Sequence, residues 1–198
     1  MRTFELIIAF YLLVLGFAII ITWTLLLTGG AVPNIERDLF SLIFHWSSES
    51  FLAFLSIAIG IGVLRFSELA RKALFFDFGM AVCSALNALY YYTAIEYSAG
   101  MSILFSALTV FSLVFLIIAY QSYRFMSLPH QGMLKFGLFN LGLFAYQGLN
   151  IAGEYGQKGN WVVFSMLVFL IIVALSILLR MVRSGTRTET LQIVVPEK

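Results

Sequence analysis

His45 and Glu49 stand four residues apart in the stretch Phe44-His-Trp-Ser-Ser-Glu-Ser-Phe51, at the head of a long apolar run. On a helix that spacing turns through about 40° and rises about 6 Å, so the two side chains share a face and can touch each other or one ligand. Glu96 and Glu154 each follow an apolar run and each precede a tyrosine, and Glu36 and Asp38 come shortly before His45. One imidazole with several carboxylates is a donor set for a divalent cation, with imidazole favouring transition metals and carboxylates favouring Mg, Ca or Mn. A carboxylate beside a histidine can instead relay protons or hydrogen-bond a quinone head group. The structural alternative for the first pair is a helix start: Ser47 and Ser48 as caps, and Glu49 against the positive end of the dipole. For Glu96 and Glu154 the alternative is solvation, because a negative charge at a helix C-terminus opposes the dipole.

Several other chemistries find no support. The second histidine, His130, falls in Ser127-Leu-Pro-His-Gln131, which the topology below puts on the opposite side of the membrane from His45, so an intrachain bis-His haem is not expected. No H-E-x-x-H, G-x-S-x-G or Walker loop occurs, and the lone Cys83 has no partner for an intrachain disulfide. Tyr90-Tyr91-Tyr92 reads most simply as part of an aromatic interface, with stacking on a pigment or quinone as the alternative. The cofactor therefore stays unassigned.

What must position these residues is a set of membrane helices. Of 198 residues, 61% are hydrophobic and 11% charged, with a mean hydropathy of +0.97, far from the composition of a water-soluble domain. A net charge of +2, with basic residues grouped only beside apolar segments, gives nucleic acid no footing. A hydrocarbon core of about 30 Å needs about 20 apolar residues of helix. Six segments qualify, near 6–27, 44–64, 73–94, 101–120, 133–151 and 161–179, giving an all-α bundle over 1–183 and a short tail over 184–198. The first run is too long for a signal-peptide core, and no A-x-A-like site follows it. The fifth segment, broken by Lys135, Asn140, Gln147, Asn150 and three glycines, must be sheltered by its neighbours.

With the amino terminus in the cytoplasm, all basic residues but Arg37 and Lys158 fall on inner loops and tails. Trp23, Trp46 and Trp161, with Tyr97 and Tyr155, then mark the outer interface. This places both termini in the cytoplasm and His45, Glu49, Glu96 and Glu154 at the outer mouth. Laying Phe78-Gly79 on Phe136-Gly137, an offset of 58 residues, also aligns Ala94-x-Glu-Tyr97 with Ala152-x-Glu-Tyr155. The six helices thus read as three hairpins, with helices 3–4 and 5–6 as parallel copies. The same offset sets Asp77 on Lys135, which suggests an ion pair between the copies; the alternative is that each snorkels alone to the inner interface. Ala81, Ser84, Ala85 and Ala88, together with Gly60 and Gly62, suggest close helix packing. In the tail, Arg180, Arg183 and Arg187 suit anionic head groups, and Thr190–Val195 is either disordered or strand-forming.

His45-Trp-Ser-Ser-Glu49 with Gly60-Ile-Gly62, then Gly79-Met80, Asn87, Tyr90-Tyr91 and Lys158-Gly-Asn-Trp161, resemble motifs of a family of small prokaryotic multi-pass membrane proteins without an assigned function. The resemblance covers about half the chain, and the chain departs from the pattern in carrying the later hairpin twice. It implies a bundle in the prokaryotic cytoplasmic membrane and draws attention to His45 and Glu49, without supplying an activity. The expected role is a non-catalytic accessory or interaction subunit, whose partners are the lipid bilayer and other membrane chains or copies of itself. The alternatives are a small transporter or sensor with an outward-facing cation, proton or quinone site at His45 and Glu49, and a membrane enzyme acting on lipid or quinol.

Overall fold

A computed structural model of the chain describes residues 3–29, 39–123 and 131–192. Glu36, Arg37, Asp38, His130 and the tail from 193 onward lie outside the described residues. The described chain is all-helical: α1 (Thr3–Thr28), α2 (Leu39–Leu64), α3 (Glu68–Tyr90) running into a π-turn at Tyr91–Ile95, α4 (Ala99–Ser122), α5 (Gln131–Gln157) and α6 (Trp161–Gln192). Among the described residues four helices are long and apolar enough to cross a membrane: α1, α2, α3 with its π-turn, and α4. The polar residues of α5 lower its hydropathy, while α6 is apolar over Trp161–Ile177.

The helix boundaries follow local chemistry. Between α2 and α3, Phe66 takes a left-handed φ of 58° and reverses the chain, and Ser67 then caps α3 by accepting the Ala70 N–H at 3.4 Å. Between α5 and α6, Gly159 sits at φ 73°, where a side chain would be strained, and Asn160 Oδ1 accepts the Val163 N–H at 3.3 Å. Lys158-Gly-Asn-Trp161 is therefore a compact stop-and-restart signal. Helix α2 begins at Leu39, ahead of the apolar span near 44–64, because Leu39-Phe-Ser-Leu-Ile43 already has a helical apolar face, and α6 is helical to Gln192, which takes in Thr190–Gln192 of the Thr190–Val195 stretch.

Consecutive helices pair as α1/α2, α3/α4 and α5/α6, and α5 also packs on both α2 and α3. Helix α3 lies at the centre, with Leu74, Phe75, Phe76, Phe78 and Met80 almost wholly buried against Ile8, Leu12, Leu52, Val63 and Leu138. Helix α4 lies at the edge and presents Ile103, Val110, Phe111 and Ile117 outward. In a water-soluble protein such a face would be a liability; in hydrocarbon it is the expected exterior. Helices α3 and α5 run parallel, since Lys135 lies by Phe75 at one end and Asn87 bonds Gln147 towards the other. They cross where Gly79 meets the backbone of Phe139 and Gly142 meets the backbone of Phe76. The crossing thus brings Gly79 and Gly142 together.

The two ends of the bundle differ. At one, Trp23 packs edge-on against His45 and Trp161 against Phe40. At the other, Arg71 reaches across to Glu5 at 2.7 Å, and the fully buried Lys72 pairs with Glu68 at 2.6 Å. These are called the tryptophan end and the basic end below.

Candidate functional site

A seam of polar side chains runs through the apolar interior where α2, α3 and α5 meet. Each helix contributes a stripe at helical spacing: His45, Glu49 and Ser56 from α2, Asp77, Ser84 and Asn87 from α3, and Tyr146, Gln147 and Asn150 from α5. Glu49 is the centre of the upper part. Ten residues, about 15 Å, inside α2, it is 8% exposed and accepts hydrogen bonds from Ser84 Oγ at 2.7 Å and from the Tyr146 hydroxyl. Among the described residues its partners are neutral hydroxyls on two other helices, so its carboxylate ties α2, α3 and α5 together.

Around it the other polar groups are matched pairwise. His45, one turn nearer the tryptophan end, hydrogen-bonds through Nδ1 to Asn150 Oδ1 at 2.8 Å, and Asn150 donates in turn to the Tyr146 carbonyl at 3.1 Å. Gln147 Oε1 accepts from Asn87 Nδ2 at 2.8 Å and from Cys83 Sγ at 3.5 Å. Further towards the basic end, the wholly buried Asp77 accepts from Ser56 Oγ with both carboxylate oxygens, at 3.0 and 3.1 Å. Tyr11 and Ser112 share a hydrogen bond of 2.5 Å that links α1 to α4. Satisfied polar groups of this kind hold helices in register inside an apolar interior.

This arrangement changes the reading of the candidate residues. His45 and Glu49 do share one face of α2, but they face different partners, Asn150 and the Ser84–Tyr146 pair. Ser47 and Ser48 are not caps: their hydroxyls donate back to the carbonyls of Ile43 and His45 at 2.7 Å inside the helix. Glu96 is exposed after the π-turn, where it accepts from the Tyr91 hydroxyl at 2.7 Å, and Glu154 is exposed in the last turn of α5. The proposed metal ligands His45, Glu49, Glu96 and Glu154 therefore do not converge, and no group of three or more His, Cys, Asp or Glu able to hold a metal occurs among the described residues. The physical reason is that Glu49 is buried in the bundle while Glu96 and Glu154 are exposed on its surface.

The expected ion pair of Asp77 with Lys135 is likewise replaced. Asp77 turns towards α2 and Ser56, while Lys135 is buried at the basic end and donates to the carbonyls of Tyr120 and Tyr123, at 2.7 and 2.5 Å. Its ammonium closes the C-terminus of α4, where carbonyls lack helical partners and the dipole is negative. Tyr123, the residue after α4, packs beneath the Arg71 guanidinium at 5.7 Å from its ring centre. Burial first, and then the nearby Glu5 charge, push its phenol up to about 12, with Arg71 opposing.

Ser84, Tyr146, Asn150 and Gln147 are the site residues that sequence reasoning missed. The signal was present as the recurrence of polar residues at Tyr146/Asn150 and Ser84/Asn87, spacings of one helical turn inside otherwise apolar segments. Gln147 and Asn150 read as interruptions and Ser84 as a small packing residue because their partners lie on other helices.

A family model described as a domain of unknown function, DUF8058, matches residues 2–127. The chain belongs to this family. The DUF8058 match takes in α1 to α4 and so carries Glu49, Ser56, Asp77 and Ser84, whereas the α5 half of the seam, with Tyr146, Gln147 and Asn150, lies beyond it. No curated protein and no solved structure matches the chain.

Proposed function

We propose that this DUF8058 protein is a six-span protein of the prokaryotic cytoplasmic membrane, with both termini in the cytoplasm, that senses or moves a proton through the α2–α3–α5 seam, with Glu49 as the group that takes the proton up. The observation that carries the reading is the placement of Glu49: an ionisable carboxyl deep in an apolar bundle, held by Ser84 and Tyr146 and by no cation among the described residues. An ionisable group inside a membrane bundle is costly to keep, and such groups mark ion and proton pathways. Its surroundings fit a proton better than a metal or quinone. Hydroxyls can donate to the carboxylate, and the same hydroxyls can turn to accept from the acid, so the pocket accommodates both charge states with small movements.

The placement of His45 adds direction. It lies between Glu49 and the tryptophan end, and the excess of basic residues towards the opposite side supports reading that end as the outer one. Its imidazole, hydrogen-bonded to Asn150, supplies a stepping point between that end and the buried acid. Gly79 and Gly142 keep α3 and α5 close, so uptake at Glu49 is transmitted to both helices through Ser84 and Tyr146.

The test is reconstitution into lipid vesicles, with proton uptake and flux followed by an enclosed pH-sensitive dye after a pH jump. Wild-type protein should take up protons, Glu49→Gln should abolish uptake, and Glu49→Asp should restore part of it. Uptake by wild-type vesicles no greater than by protein-free vesicles sinks the reading. That result, with another membrane chain co-purifying in fixed ratio, would return the protein to the accessory-subunit role.

A further inference from the structure

Glu49 and Asp77 occupy reciprocal places across the antiparallel α2–α3 contact. Helix α2 supplies Glu49 and α3 answers with Ser84; seven residues along each helix, α3 supplies Asp77 and α2 answers with Ser56. The two carboxyl groups thus belong to one line, about 10 Å apart along the helix axes. They differ in access. Glu49 retains slight exposure and has His45 above it, whereas Asp77 is fully enclosed.

We infer that Asp77 is a second proton-binding site of the seam, occluded and holding its proton against Ser56. The groups facing it make the case. From α2 comes Ser56, a neutral hydroxyl; from α1 comes Tyr11, already engaged with Ser112 of α4. On its own helix Phe76 and Phe78 flank it, and on α5 the Lys135 ammonium donates to the carbonyls of Tyr120 and Tyr123 at the end of α4. The described ion pairs, Arg71–Glu5 and Lys72–Glu68, lie at the basic end and leave Asp77 outside both. Among the described residues no cation pairs with the Asp77 carboxylate, and the economical solution in such an interior is to bind a proton. Between Asp77 and the basic end lie Ile8, Leu12, Ile59, Val63 and Leu74, nearly all at zero exposure, so the site is sealed on that side.

The inference deepens the proton reading of the seam and rests on it in one respect, that the seam exchanges protons with water. Binding makes one O–H bond on a carboxylate oxygen of Asp77, with the proton drawn from water, and requires no other reactant. Infrared spectroscopy of the protein in lipid vesicles, titrated over pH, reads it directly through the carbonyl stretch of a protonated carboxylic acid. The expected result is a protonated-acid band that is lost in Asp77→Asn, persists in Glu49→Gln and shifts in frequency in Ser56→Ala, which removes its hydrogen-bond partner. A folded Asp77→Asn protein with unchanged acid bands overturns the inference while leaving Glu49 uptake, and the proposed function, intact. Should Asp77→Asn fail to fold, Ser56→Ala decides: an unshifted band overturns the inference equally. Sodium dependence of the Asp77 carboxylate signal with no acid band also overturns it, in favour of a metal cation.

Discussion

Gly79 on α3 and Gly142 on α5 are each packed onto the backbone of the other helix one turn earlier, Gly79 against the Phe139 carbonyl and Gly142 against that of Phe76. Two parallel helices at this separation have no room for a methyl group on either side, and the obstructing atom is backbone, which cannot swing away. Replacing Gly142 by Ala must therefore part the helices. Overpacking of this kind costs about 1–3 kcal/mol. Gly79→Ala should cost a similar amount, and the double variant less than the sum, because the first methyl already creates the space that the second needs. Denaturant titration of the purified protein in detergent measures all three.

Tyr146 should matter through its hydroxyl. Tyr146→Phe keeps the ring, which is 1% exposed, and removes one of the two donors that Glu49 accepts from. A loss of about 1 kcal/mol is expected, in keeping with hydrogen bonds between membrane helices. Ser84→Ala should cost about as much, and a double-mutant cycle should give a coupling energy clearly different from zero, since both hydroxyls bond the same oxygen of Glu49. A cycle that closes at zero would show that the two donors act independently.

The apolar helices were readable from run length and composition alone, since α1 and α4 are apolar over almost their whole length. The interior polar seam was not. His45 and Glu49 looked like the entrance of a helix because polarity beside a loop normally means water, yet Glu49 lies about three turns inside α2 and its partners are 35 and 97 positions away in sequence. Spacing along one helix reveals a shared face but not what the face meets. For the same reason Asp77 and Lys135, opposite in sign and alike in alignment, were paired on sequence, while Lys135 is in fact drawn to the carbonyls at the end of α4.

Lys135→Met tests that helix-capping role. Methionine fills a similar volume but leaves two carbonyls without their charged donor, and hydrogen bonds to charged groups are worth about 1.5–3 kcal/mol. Amide exchange should accelerate in the last turn of α4, around Ala119 to Tyr123, with little change at its start. Lys135→Arg should not restore protection, because a planar guanidinium cannot reproduce the compact ammonium between two carbonyl oxygens. Uniform acceleration across the whole chain would indicate a global role instead.

Tyr123 supplies a pH dependence. Its phenol is raised from 10.0 to about 12 in the folded protein, chiefly by burial, so the folded state holds the proton more tightly than the unfolded chain does. Its contribution is fully present below pH 10 and is lost as pH rises through about 12. Thermal stability should fall over that window in wild-type protein and fall less steeply in Tyr123→Phe. Parallel alkaline profiles would assign the decline to other groups.

Helix α5 carries a last implication, for biogenesis. In the six-span arrangement its lysine, glutamine, asparagines and glycines make it a poor candidate for leaving the insertion machinery alone. Its polar stripe has a destination only once Glu49, Ser84 and Asn87 are already in place on α2 and α3. The family's α1–α4 core would then serve as an intramembrane template, made first on the ribosome, against which the later hairpin of α5 and α6 is received.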